Sequence, residues 1–334
     1  MVTGVGRVLR DRYRFDRELG QRGHVVTWLV TDLRSASPCV LKILREADAP
    51  PADARLFEAQ ARIISGLDYP GLPRFVENFV EGEGAQREHI FITRYHPGES
   101  LRRLVGKGRL LTELQAVALL RRLVPILAYL HGFSPPLVHR GIKASNIIVG
   151  PDGRPCLTDL HFAVSGDGWK AWEETPPSAD ELALEAPEVV LNEPVPASDI
   201  YAVGLALVYG MSGQDPAALA REGNRQRIRE VTSASEGFGA VLARMVELPL
   251  DRRYPDVQAL EADLARLAAG RGPAPVAVAT AGASKATAPS PSQPETRQPD
   301  APEPVLAGPA EPRRGGPLWI AILLVVLAAV GALA

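Results

Sequence analysis

The side chains best suited to chemistry lie in the stretch Leu137–Val149, which reads Leu-Val-His-Arg-Gly-Ile-Lys-Ala-Ser-Asn-Ile-Ile-Val. This stretch sets His139, Arg140, Lys143 and Asn146 between apolar flanks. It is either a functional loop or an ordinary polar turn between two apolar segments, and its own residues do not decide between the two. The decision depends on whether other polar motifs occur in a fitting order along the chain.

Two further polar residues stand out by their position. Lys42 is the only charged residue in the apolar run Pro38–Leu44, and Asp159 follows the strand-like run Pro155–Thr158. A lysine can contact phosphate, and an aspartate can bind a metal ion. However, a lysine on a strand is usually a solvated edge residue, and an aspartate after a strand is a common turn residue. Each residue taken alone leaves both interpretations open.

The order of these segments resembles that of protein kinases. His139, Arg140, Lys143 and Asn146 fall in register with the family's catalytic loop, which reads His-Arg-Asp with an Asn after four further residues. The resemblance implies that the Asp accepts the proton of the substrate hydroxyl and that the Asn helps to hold metal on the phosphates. Here Gly141 occupies the position of the Asp, with Lys143 nearby. The resemblance therefore implies a catalytic loop that lacks its base.

The segment before Lys42 resembles the glycine-rich loop of the same family. Gly20 fits the first glycine and Gly23 is an additional one, whereas the other two glycine positions fall on Arg22 and Val25. Such a loop works because bare backbone approaches the phosphates and donates its N–H groups. Side chains at two of the three positions should hinder that approach, and the segment taken alone is more typical of a plain hairpin.

Lys42 matches the family's strand lysine, which contacts the nucleotide phosphates and pairs with a helix glutamate. An apolar stripe over 52–67 predicts that helix. Its register with the residues that follow puts Gln60 at the glutamate position. Gln60 can hydrogen-bond a lysine but brings no charge. Glu58 lies about 200° further round the helix and should point elsewhere.

The resemblance also implies an adenine pocket and a metal ligand. Thr93 and Tyr95 would lie at the pocket, although an ordinary strand leading into a turn explains them equally well. The tripeptide from Asp159 to His161 resembles the family's Asp-Phe-Gly. Asp159 and Asn146 are thereby implied as metal ligands, and the loss of the glycine at His161 implies a restricted backbone.

Several residues match positions that hold the family's fold together. Glu188 ends a segment that resembles Ala-Pro-Glu, and the resemblance implies a buried pair with Arg253. Asp199 lies in the segment that resembles the central helix of the large lobe, and Ser198 is predicted to cap that helix. The resemblance implies that Asp199 accepts backbone hydrogen bonds from the catalytic loop, in which His139 is a scaffold residue.

The polar segment 165–185 corresponds to the activation segment by its position. The family threonine that lies next to the base is replaced by Glu181. Ser178 is the only serine or threonine after Thr175 and before Ala186. Ordering of this segment by phosphorylation is therefore not what the sequence predicts.

The predicted architecture is an α+β fold of two lobes over 13–270, followed by two segments of different character. A small β-rich N-lobe covers about 13–95 and a helical C-lobe about 96–270. Residues 271–316 are rich in Ala, Pro and Ser and cannot bury enough surface to fold, which predicts a disordered linker. The apolar segment 317–334 favours a transmembrane helix over a buried core helix. Arg313 and Arg314 precede it, which predicts a single-pass protein of the cell membrane with its kinase-like domain in the cytoplasm.

Charge and composition narrow the partners. The net charge of -2 over 334 residues gives no reason to expect nucleic-acid binding. The chain has two cysteines, Cys39 and Cys156, which is too few for a disulfide framework and predicts buried free thiols in a reducing compartment. The amino terminus has no long apolar stretch, so a secretory signal is not expected.

The function expected from these features is that of a membrane-anchored pseudokinase. It would hold ATP and Mg²⁺ weakly or not at all through Lys42, Asn146 and Asp159, and act through a protein partner such as an active kinase or its substrate. One alternative is an active but atypical Ser/Thr kinase that transfers the ATP γ-phosphate to protein hydroxyls. The other is a tail-anchored adaptor that binds no nucleotide. The first is favoured because the altered positions concentrate at the reacting centre, whereas the fold-holding residues are kept.

Overall fold

A computed structural model of the protein describes residues 4–160, 186–191, 193–214 and 225–274. The predictions made for His161, Ser178 and Glu181 lie outside these residues. So do those for the linker beyond residue 274 and for the membrane helix at 317–334.

The N-terminal lobe is an antiparallel sheet with one long helix against it. The strands are β1 (Val8–Leu9), β2 (Tyr13–Arg22), β3 (Val25–Asp32), β4 (Ser37–Arg45), β5 (Phe75–Glu81) and β6 (Glu88–Arg94), ordered β1-β2-β3-β4-β6-β5. Helix α1 (Pro51–Ser65) follows β4 and packs against β5 and β6. It begins with a proline at its first position, where the missing N–H leaves no hydrogen bond unmade.

Strand β4 decides which way Lys42 points. Cys39, Leu41 and Ile43 are at most 2% exposed and belong to the core of the sheet. Their neighbours in that core include Phe15, Trp28, Val30, Ile90 and Ile92. Because successive side chains on a strand point to opposite faces, Lys42 must lie on the face away from this core.

The two cysteines are buried free thiols, as predicted. Cys39 lies on β4, and Cys156 lies on a short strand of the second lobe. Burial raises the pKa of the Cys156 thiol to about 12. A thiol of this kind stays protonated at neutral pH, so it fills space and is not a reactive group.

The second lobe is built mainly of helices. They are α2 (Leu101–Gly106), α3 (Glu113–His131), α4 (Pro187–Val190), α5 (Pro196–Ser212), α6 (Arg225–Thr232), α7 (Glu236–Met245) and α8 (Val257–Ala268). A small antiparallel sheet, ordered β7-β8-β9, packs against α2 and α3: β7 (Glu99–Ser100), β8 (Ile147–Val149) and β9 (Pro155–Leu157). This sheet positions the loops on either side of β8 and β9, which carry the polar motifs.

Helix α5 lies at the centre of this lobe and packs against α3, α6 and α7. Helix α3 begins with a capping box in which Thr112 and Gln115 each accept the other's backbone N–H. Among the described residues, α3 is the one helix long and apolar enough to cross a membrane. Its apolar residues instead lie in the core of the lobe: Ala116, Leu119, Leu120, Leu123, Val124, Ile126, Leu127 and Leu130.

The prediction that Ser198 caps α5 is wrong. The helix begins at Pro196 and Val195 is its N-cap, because a proline with fixed φ and no N–H can open a helix. Ser198 therefore lies inside the first turn. Its hydroxyl accepts the N–H of Val195 at 3.1 Å and donates to Glu188 Oε1 at 2.7 Å.

The segment that connects the two lobes contains a glycine at a position where a side chain would not fit. Gly98, between β6 and β7, has φ +153°, and a Cβ there would lie 2.4 Å from the carbonyl oxygen of Val149. The Cβ of an alanine at position 98 would collide with backbone atoms, which cannot rotate away, and alanine rarely adopts this φ. Gly98→Ala should therefore lower the free energy of unfolding by about 1–3 kcal/mol. Gly106→Ala is the matched control, since its added Cβ would meet nothing within 4 Å. Equal denaturation midpoints for the two variants would contradict this account.

Candidate functional site

A cavity of about 520 Å³ lies between the sheet and the helical lobe. Its lining includes many of the predicted site residues: Gly20, Lys42, Thr93, Tyr95, Lys143, Asn146 and Asp159. Gly23 lies instead at the turn of the β2–β3 hairpin, with φ +52°, and is not part of this lining. A larger groove of about 990 Å³ lies on the helical lobe among α3, α7 and α8, and none of these motif residues lines it.

The glycine loop is a tight hairpin. Backbone pairing between β2 and β3 continues to Arg22 and Val25, which are register partners, so the turn contains only Gly23 and His24. The pairing is irregular between Glu18 and Gly20, and Gly20 has φ +153°. Gly20 therefore has a positive φ at the cavity, whereas Gly23 has its positive φ in the turn beyond the last paired residues.

Lys42 reaches into the cavity and forms an ion pair with Asp159. The two residues are 117 positions apart in the sequence. Their side chains are 13% and 29% exposed, so the pair is partly shielded from water. The single carboxylate of the Asp-Leu-His motif is thus already neutralised by an ammonium of the same chain.

Gln60 lies at the predicted helix position, but its hydrogen bond is to a backbone carbonyl. The amide Nε2 donates a hydrogen bond of 2.6 Å to the carbonyl oxygen of Leu160. Gln60 is 7% exposed and lines the same cavity as Lys42. Glu58 points elsewhere, as predicted, and lies 3.1 Å from the His89 ring. Gln60 thereby links helix α1 to the backbone that follows Asp159. Lys42 pairs with the Asp159 carboxylate and not with a residue of α1.

Asp199 holds the catalytic-type loop in place. Its carboxylate accepts the backbone N–H of His139 at 2.8 Å and of Arg140 at 3.0 Å, as the resemblance implied. Arg140 has φ +58°, so these hydrogen bonds maintain an unfavourable backbone conformation. His131, at the end of α3, also lies 2.9 Å from the Asp199 carboxylate. Sequence reasoning missed His131, and the only available signal was a polar residue ending an apolar helix.

His139 is fully buried within this loop. Burial lowers the pKa of its imidazole, because the charged form loses its hydration. Its Nδ1 accepts the N–H of Gly141 at 3.3 Å, which assigns the neutral tautomer with its proton on Nε2. His139 is therefore a structural residue of the loop.

Asn146 holds the loop through a hydrogen bond to the backbone of Gly141. Its Nδ2 donates to the carbonyl oxygen of Gly141 at 2.8 Å, and its Oδ1 accepts the Ser145 hydroxyl at 3.1 Å. The N–H of Thr158 donates to the Asn146 carbonyl at 2.9 Å and so places Asp159 next to the loop. The frame that would aim a base at position 141 is complete, but glycine supplies no carboxylate.

A divalent metal would find two candidate protein ligands among the described residues of this cleft, and one of them is already paired. The candidate ligands are the Asp159 carboxylate, which is paired with Lys42, and the Asn146 amide oxygen. The described part of the chain contains no group of three or more His, Cys, Asp or Glu side chains placed to hold an ion. Magnesium in phosphate sites is usually bound by one or two carboxylates together with phosphate oxygens. This cleft offers one carboxylate, that of Asp159, and this carboxylate is already paired with Lys42.

The predicted pair of Glu188 and Arg253 is present and buried. Arg253 Nη1 lies 2.6 Å from Glu188 Oε1, and the two side chains are 0% and 8% exposed. The guanidinium also donates to the carbonyl oxygens of Ala197, Glu247 and Leu248. The buried charge is thus surrounded by acceptors, which is what an arginine without access to water needs.

The sheet, the helical lobe and the cleft between them define the two-lobed protein kinase class. The protein kinase domain family matches residues 13–265 of the chain. The chain belongs to this family, whose members in general use ATP and Mg²⁺.

The curated relatives include several bacterial serine/threonine kinases. Serine/threonine-protein kinase B of Synechocystis is 28% identical over 268 residues, which is 75% of this chain and 46% of that protein. Serine/threonine-protein kinase PknA of Mycobacterium tuberculosis is 28% identical over 228 residues, 65% of this chain and 51% of that protein. The chain thus spans about half the length of these relatives.

Among solved structures, the fold is similar to the PknI kinase domain of Mycobacterium tuberculosis. The TM-score is 0.58 at 18% identity, and the match covers 79% of this chain and 99% of that one. At this identity the likeness concerns the fold alone, which supports the two-lobed arrangement described above.

Proposed function

We propose that this member of the protein kinase family is a pseudokinase, which holds nucleotide weakly in its cleft and acts by binding another protein. The observation that carries the proposal is the loop around Gly141. His139, Asn146 and Asp199 hold its backbone as if to aim a base, yet residue 141 has no side chain.

The magnitudes favour impaired transfer. A positioned general base contributes about 10²–10⁴-fold in rate. Protein kinases turn over at about 1–100 per second, so loss of the base alone would still leave a slow activity. Gln60 removes the glutamate that would hold the lysine, and Lys42 instead pairs with Asp159. Each change falls on a different part of the phosphoryl-transfer machinery, so together they make efficient turnover unfavourable.

The setting proposed for this activity is the inner face of the cell membrane. The apolar run at 317–334, preceded by Arg313 and Arg314, would anchor a cytoplasmic kinase-like domain through the linker 271–316. The partner would be a protein, such as an active kinase or one of its substrates. A net charge of -2 gives no reason to expect a nucleic-acid partner.

A second candidate is an active but atypical Ser/Thr kinase. It is favoured by the names of the relatives and by the retention of Lys42, Asn146 and Asp159 at one cavity. In that case another group would have to accept the proton of the substrate hydroxyl. The third candidate, an adaptor that binds no nucleotide, would use the lobes only as a docking surface.

One pair of measurements on the full chain, purified in detergent, separates the three. A thermal shift on adding ATP is expected for a nucleotide-holding protein, and its absence would favour the adaptor. Transfer of labelled phosphate to a general protein substrate should not rise above that of Lys42→Met, which lacks the ammonium that contacts the phosphates. Turnover at normal kinase rates that disappears in Lys42→Met would overturn the pseudokinase proposal.

A further inference from the structure

The charge of the cleft differs from what the family pattern implies. Two acidic positions of that pattern, the helix glutamate and the catalytic aspartate, are Gln60 and Gly141 here. Among the described residues that line the cavity, five are basic and two are acidic: Arg17, Lys42, Arg94, Arg103, Lys143, Glu99 and Asp159. The Arg94 guanidinium is directed to Ser35 and Cys39, which leaves four basic residues against two acidic ones. The described lining therefore has an excess of positive charge.

The two acidic groups are both already matched by cations. Glu99 pairs with Lys107, at 2.7 Å, and Asp159 pairs with Lys42. A divalent cation at Asp159 would have to compete with an ammonium that the fold places there. A polyphosphate anion has no such competitor. The basic side chains of a partly enclosed cleft attract it without any added metal ion.

Gln60 maintains this arrangement. Its amide is engaged with the Leu160 carbonyl at 2.6 Å, so position 60 offers no carboxylate to draw Lys42 away from Asp159. A glutamate at the same place would repel that carbonyl oxygen and compete for the lysine. Gln60 is accordingly a positioning residue, because it leaves Lys42 paired with Asp159.

We infer that the cleft binds ATP as the metal-free anion, with its own basic side chains in the role that Mg²⁺ has in the family. The inference rests on the nucleotide site of the proposed function and adds the ionic form of the ligand. We therefore expect Mg²⁺ to change the dissociation constant of ATP by less than about fivefold, which is the lower end of the range of roughly 5–150-fold for typical coupling between two ligands.

The test is a titration of the full chain with a fluorescent ATP analogue, in excess EDTA and in millimolar Mg²⁺. The expected dissociation constants agree within about twofold, and any ratio below about fivefold supports the inference. Tightening by Mg²⁺ of about fivefold or more overturns it, as does failure to bind in EDTA. Lys42→Met should lose the signal in EDTA, which ties the binding to this cleft.

Two variants at one position test the role assigned to Gln60. Gln60→Glu should make Mg²⁺ tighten ATP by about fivefold or more, because the new carboxylate draws Lys42 away and leaves Asp159 to the metal. Gln60→Met removes the amide but adds no charge, and its Mg²⁺ ratio should stay that of the wild type. Equal behaviour of the two variants would contradict the assignment.

The outcome is separate from that of the proposed function. Metal-independent binding with brisk phosphate transfer would sink the pseudokinase proposal alone, whereas impaired transfer with Mg²⁺-dependent binding would sink this inference alone. If ATP fails to bind in either buffer, this inference is wrong, and so is the nucleotide-holding part of the proposed function, which leaves the adaptor as the favoured candidate.

Discussion

Arg253→Met is expected to lower the free energy of unfolding by about 3–5 kcal/mol, the range found when one partner of a buried ion pair is removed. Glu188 would remain buried, with the Ser198 hydroxyl as its remaining hydrogen-bond partner among the described residues. The carbonyl oxygens of Ala197, Glu247 and Leu248 would lose their donor as well.

The measurement is chemical denaturation of the full chain, followed by circular dichroism. Arg252→Met is the matched control, because the neighbouring arginine is exposed, and its effect should stay within about 0.5 kcal/mol. Adding Glu188→Met to Arg253→Met should restore part of the loss, since it removes the uncompensated carboxylate. If the Arg253 and Arg252 variants unfold alike, the buried pair does not stabilise the lobe.

Gly141→Asp is expected to raise phosphate transfer by no more than about tenfold, although a positioned base is worth about 10²–10⁴-fold. The new carboxylate would enter a loop already held by Asn146 and Asp199. Lys42 would still pair with Asp159, and Gln60 would still leave the lysine without its helix partner. A base improves the rate only when the phosphate it serves is held in line.

The comparison uses labelled-phosphate transfer by wild type, Gly141→Asp and Gly141→Asn, the last having the size of the aspartate without its charge. Gly141→Asp combined with Gln60→Glu should exceed either single variant, because the two changes repair different parts of the site. Recovery of about 10²-fold or more by Gly141→Asp alone would falsify the view that several parts of the site are altered.

Local patterns in the sequence predicted much of the scaffold. The apolar stripe over 52–67 predicted helix α1, because such periodicity depends only on neighbouring residues. The motif order placed Lys42, Asn146 and Asp159 at one site, and the structure brings them to one cavity. The Glu188–Arg253 pair came from family resemblance, since no periodicity connects residues 65 positions apart.

Other features were decided only by the tertiary structure. The partner of Gln60 lies 100 residues away and is a backbone carbonyl, which carries no residue-specific signal. Ser198 looked like a cap because its type favours caps, but the proline at 196 starts the helix earlier and turns the hydroxyl to Glu188. The missing base could be seen in the sequence as Gly141, whereas the pairing of Lys42 with Asp159 could not. Which charge neutralises which depends on distances that the chain acquires only when its two lobes fold together.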